Sequence, residues 1–209
     1  MSAPGRSQAL IPEPFKGEGA PVSALLRLLR IQAHANRLMN HRLHAAMVPL
    51  TREELHAPRT SFFPSLMATL NHILEVDGYY VGALAGDDVA HHWDTFRACD
   101  TLAELAPRQA EVDGRLVAFC DALDEAAAER VVQLPRGEGR VQRERALFVL
   151  GHLHMHQIHH RGQVHAMLAG TRVAPPQLDE FMAPSEAHLR EREMAALGWR
   201  ESEVYGPPP

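Results

Sequence analysis

Four long stretches of the chain repeat apolar residues at three and four positions, the period of one helical face rather than of a strand. The first runs from Val22 to about Val48, where Leu25, Leu28, Leu29, Leu38 and Leu43 alternate with arginines and histidines until Pro49 stops the run. The second spans about Pro64 to Leu84, with Ser61 as the expected cap and Gly86, followed by Asp87-Asp88, at its end. The third extends from about Thr101 to Val132 with a bend expected at Pro107, its stripe formed by Leu102, Leu105, Val112, Leu116, Phe119 and Leu123. The short turn QLPRGEGR leads to the fourth, about Val141 to Ala169, with Gly170 as its cap. No alternating pattern exceeds a few residues, so the predicted fold is an all-α four-helix bundle.

The connections refine this picture. GDDVAHHWDTFRACD, between the second and third helices, exceeds the roughly two to eight residues of a tight antiparallel turn and predicts a crossover. Residues 1–21 hold four prolines and three glycines and read as a poorly ordered extended arm. The bundle then occupies 22–170. Residues 171–209 form a tail expected to pack on it, first Pro-rich and then helical from Ser185 to Leu197, ending at Gly198.

Composition excludes several classes. The formal charge is −5 with both signs interspersed, which argues against a nucleic-acid footprint. No window approaches the roughly 18 apolar residues of a membrane span, and the first residues lack the apolar core of a secretory signal, so cytoplasmic residence is the expectation. Cys99 and Cys120 are the only cysteines and form neither a disulfide framework nor a CxxC half-site. Any metal must therefore be held mainly by histidine or carboxylate. The acidic pairs Glu53-Glu54 and Asp87-Asp88 fall in expected loops and read as solvated.

Histidine is the unusual feature: 14 in the chain, five of them in HMHQIHHRGQVH, residues 154–165. On a wheel of roughly 100° per residue, the apolar residues of this helix occupy one arc. His156 lies at its margin and His160 within it, four residues apart. His159 falls outside, and His154 and His165 fall on the far side. Residues four apart stand one turn above another, so two neutral imidazoles there can reach one ion at about 2.0–2.1 Å. His72, at the edge of the second helix's apolar arc, reads alone as a boundary histidine, and in a bundle as a third ligand from a facing helix. Gln157 stands where a zincin would carry its glutamate, and no nucleophile elbow or phosphate loop is present. Three histidines leave an open position, as catalytic sites do, whereas a structural site closes with four protein ligands.

These residues resemble the DinB-like (DinB/YfiT-like) family of metal-binding four-helix bundles. The likeness rests on TLNHILEVDGYY around His72, on GHLHMHQIHHRGQVHAML around His156 and His160, and on AHANRLMN with Asn36 and Asn40. The resemblance covers about residues 22–183 and implies an up-down-down-up bundle, frequent dimers, and zinc or nickel on His72, His156 and His160. It further implies a small-molecule substrate and thiol-dependent transfer or isomerisation with bacillithiol, mycothiol or glutathione. Relatives often carry an aromatic-Asn pair just before the first HxxxH histidine, where this chain has His154-Met155. A metal-dependent hydrolase, or a non-catalytic metal-binding stress or structural protein, is the competing expectation.

Overall fold

Four helices of 20 to 24 residues carry the architecture: α1 (Ala24–Met47), α3 (Leu66–Ala85), α5 (Leu102–Asp121) and α7 (Ala146–Leu168). The structure, a computed structural model, describes residues 23–179 and 184–206, so the predicted arm lies outside the described residues. Both α1 and α3 pack against α5 and against α7, which encloses a shared core. Among the described residues no helix is long and apolar enough to cross a membrane.

Local chemistry sets the helix ends. Ser23, Ser65 and Thr101 each accept a hydrogen bond from the backbone N–H three residues on, capping α1, α3 and α5. Ser65, not the expected Ser61, therefore starts the second long helix. Gly86 closes it in the left-handed region at φ 90°, a conformation that costs glycine little. Pro107 stands inside α5 without ending it.

The expected loop after α1 contains α2 (Arg52–His56), held by a reciprocal capping box between Thr51 and Glu54. Glu54 also pairs with Arg172 at 2.8 Å, so it is not merely solvated. The long connection after α3 holds a short α4 (His92–Thr95).

The third predicted helix ends eleven residues early, at Asp121 rather than Val132. Asp124 caps a separate α6 (Glu125–Glu129) by accepting from the Ala127 N–H at 2.7 Å. The chain then enters an antiparallel hairpin of β1 (Val131–Pro135) and β2 (Val141–Arg145). Its turn places Gly137, Glu138 and Gly139 at positive φ, which accounts for the glycines of RGEGR. The expected helical architecture holds for most of the chain, and the hairpin adds a small two-stranded sheet to it. β1 buries Val132 and Leu134, but β2 is VQRER, almost wholly polar, and carries no apolar alternation to betray it.

The helix α7 starts straight out of β2, with Arg145 rather than Val141 at its boundary and Ala169 rather than Gly170 at its end. The tail folds as a 3₁₀ segment (Pro184–Leu189), α8 (Glu191–Ala196) and α9 (Glu201–Val204). Met194, Val204 and Tyr205 pack on Leu38 and Met39 of α1. Arg190 is fully buried in this tail, paired with Glu201 and covered by the Tyr205 ring.

At its centre the bundle is polar. Arg161 on α7 donates to the side-chain oxygens of Asn36 and Asn40 on α1 and of Gln157 on its own helix. Those amides pass the polarisation on: Asn36 and Asn40 donate to Asp113 on α5, and Gln157 donates to Asp77 on α3. Gln109 donates to both carboxylates, at 2.7 Å and 3.0 Å. All seven residues are buried. Burial and the neighbouring Asp113 push the Asp77 carboxyl well above its usual range, and burial raises Asp113 to about 6. Arg161, lowered by burial to about 10, keeps its charge at neutral pH.

Removing this buried cation leaves the Asn36, Asn40 and Gln157 oxygens without their donor and withdraws its charge from both carboxyl groups, so Arg161→Met is expected to lower unfolding free energy by about 3–5 kcal/mol in urea titration. A loss below about 1 kcal/mol would show that the network does not hold the bundle together.

Candidate metal centre

The site is built from two helices and one loop. α3 supplies His72, and α7 supplies His156 and His160, one turn apart. One ring nitrogen from each falls within 4.8 Å of the others, a group that could hold a metal ion. His72 Nε2 and His156 Nε2 are 3.0 Å apart. Tetrahedral ligands at about 2.0–2.1 Å from zinc are themselves about 3.3–3.4 Å apart, so small side-chain adjustments suffice. One observation fits a metal. Gln163 Oε1 accepts from His160 Nδ1 at 2.8 Å, which leaves the Nε2 lone pair directed away from that bond and available. His156 Nδ1, by contrast, is buried with no partner, where a ligating imidazole ordinarily donates its second N–H.

The loop before α3 closes one side. The Phe63 ring lies 4.3 Å from His72 and 5.7 Å from His160, restricting both imidazoles. Beside His72 opens a cleft of about 520 Å³, lined also by Phe63, Glu75, Phe96 and Cys99. Each of the three imidazoles is held below its ordinary pKa: His72 at about 4 and His156 at about 3, both by burial first and then by neighbouring histidines. Burial lowers His160 as well. All three are therefore neutral at pH 7, the form that binds a cation.

The DinB family matches residues 24–194, most of the chain. The chain belongs to the DinB family. No curated protein matches it.

Within this DinB-family fold the other histidines divide. His159 is exposed and accepts from Gln163 at 3.2 Å, as the wheel predicts. His165 is half-buried and donates to the Pro176 carbonyl at 3.1 Å. His154 corrects the reading from the wheel: it is 6 % exposed and faces inward with an unpartnered Nε2. α7 packs on α1 as well as α3, so its buried arc is wider than its apolar arc and takes in His154, Gln157 and Arg161. Cys99 and Cys120 are buried free thiols outside the three-histidine group, and burial pushes Cys120 up to about 12. Cys99 Sγ accepts from Arg108 at 3.0 Å.

Glu75 is the site residue that periodicity overlooked. It stands one turn after His72 and lines the same cleft. Burial raises its carboxyl, whereas the cleft's other carboxylate, Asp100, is lowered by its pair with Arg52. The i, i+3 spacing from His72 was the available signal.

The depressed imidazoles make metal-free stability pH-dependent. A group neutral in the folded state, with an unfolded pKa near 6.5, contributes stability above that value and loses it as pH falls towards the folded pKa. His44 and His154, both near 4, act in the same direction as His72 and His156. Asp77, Asp113 and Glu75 act oppositely but are fewer. Metal-free protein should therefore lose stability steadily from about pH 6.5 to about pH 4, read as falling melting temperature. A flat or rising profile would contradict the neutral, buried state assigned to these rings.

Proposed function

We propose that this chain is a metal-dependent enzyme in which His72, His156 and His160 hold one divalent ion, zinc or nickel. Three ligands leave a position for a small thiol, and the reaction is transfer of that thiol to an electrophile, or its transient addition. What carries the reading is the convergence of three neutral imidazoles, from two helices, beside an open cleft with no fourth histidine, cysteine or carboxylate in the group among the described residues. When bound, the ion supplies Lewis acidity that keeps a coordinating thiol in its reactive, deprotonated form. The chain's own residues do the rest. Gln163 fixes the His160 tautomer, and Phe63 confines the His72 and His160 rings. As the sulfur bonds to the electrophilic carbon, the displaced electron pair goes to the leaving group or to the heteroatom of the opened π bond, and Glu75, which lines the same cleft, passes the thiol's proton to that atom.

The same reading takes the bundle as up-down-down-up. The connection of residues 86–101 supports it, being long enough to bring α5 back alongside α3 in parallel. It also takes the protein as a cytoplasmic homodimer acting on a small molecule.

Purified protein should bind about one divalent ion per chain. His156→Ala combined with His160→Ala should abolish binding, and His159→Ala should leave it intact. Retention of metal by the double variant would overturn the ligand assignment. In cobalt-substituted protein, one of bacillithiol, mycothiol, glutathione or cysteine should raise a sulfur-to-cobalt charge-transfer band that His72→Ala lacks. Silence from all four at millimolar concentration would rule out the thiol chemistry and move hydrolysis or a binding role ahead.

A further inference from the structure

A second cavity, of about 480 Å³, lies between α1 and α5 and shares no lining residue with the three-histidine group. It exists because α5 presents Ala103, Ala106 and Ala110, with Pro107, towards α1, where bulkier side chains would fill the gap. Leu197, from the turn after α8, closes part of its wall. This size lies within the range of small-molecule sites.

Its polar groups are unusual for an apolar cavity. His44 is only 8 % exposed and has no hydrogen-bond partner among the described residues, yet it lines the cavity. Burial keeps it neutral, at about 4, so one ring N–H remains to donate. Arg37 lines the same space. Its guanidinium makes no hydrogen bond or ion pair among the described residues, and its Nε is buried without a partner. It rests against the Trp199 ring, 5.6 Å from the centroid, and lies close over α5 at Gly114, where any Cβ would come within 2.8 Å of Nη1. The one lining carboxylate, Asp113, is turned inward to Asn36, Asn40 and Gln109. Asp113 acts on the Arg37 charge only through space, so a cation and an N–H without hydrogen-bond partners, set among apolar walls, together call for an anionic head on an apolar body.

We propose that this cavity is a binding site for a small organic carboxylate with an aliphatic or aromatic body, its head on Arg37 and His44 and its body along the alanine face of α5.

Octanoate titrated into the full-length protein, followed by calorimetry, tests this. One saturable site is expected at submillimolar octanoate, with octylammonium bound at least about tenfold more weakly. Arg37→Gln should weaken octanoate roughly tenfold or more, the loss of a charge-assisted contact. Ala106→Leu should fill the cavity and abolish binding while leaving metal content unchanged. If that variant fails to fold, Arg37→Gln alone decides. No saturable binding at several millimolar, equal affinity for octylammonium, or full affinity in Arg37→Gln would each overturn the proposal. So would a change in sedimentation of Ala106→Leu when the unsubstituted protein binds no octanoate, which would assign the cavity to contact with a second copy of the chain.

Discussion

Arg161 is the constraint on which the rest of the bundle depends. A cation buried among four helices must be answered, and here it is answered through amides rather than by direct ion pairs. Asn36, Asn40 and Gln157 each accept from Arg161 and donate to a carboxylate, so their orientation is unambiguous. Such a network fits one arrangement of the helices. Turning α7 by one residue, about 100°, would carry Arg161 and Gln157 away from every partner. The same rotation sets where the neighbouring His156 and His160 point.

This coupling explains how the candidate centre is placed. His72 precedes Asp77 by about one and a half turns on α3, and His156 immediately precedes Gln157 on α7. The bond from Gln157 to Asp77 therefore ties together the two helices that contribute the histidines. The imidazoles lie towards one side of this tie, next to the cleft and Phe63, while the network lies towards the core. Apolar packing alone would tolerate small rotations, and the polar core does not.

The four long helices were legible because their apolar stripes are long and their stops are chemical, as with Pro49 and Gly86. His72, His156 and His160 were legible because an i, i+4 pair and a histidine on a facing helix converge in any bundle of this kind. The polar core was not. Asn36, Asn40, Asp77, Gln109 and Arg161 read as surface positions on a hydrophobicity wheel, since burial of a polar residue depends on partners far along the chain. The same blindness placed His154 on the solvent side. The hairpin escaped notice because DEAAAER has helical propensity throughout and β2 has no apolar face, so only tertiary pairing with β1 reveals it.

The polar core sets the geometry of the histidine group. Zinc affinity of Gln157→Leu, measured by competition with a chromophoric chelator, tests it most directly, because Gln157 is not one of the three histidines proposed to bind the ion. The expected affinity is lower by about tenfold or more with helicity retained, since loosening the α3–α7 tie lets the imidazoles drift from a shared point. Wild-type affinity in that variant would contradict it.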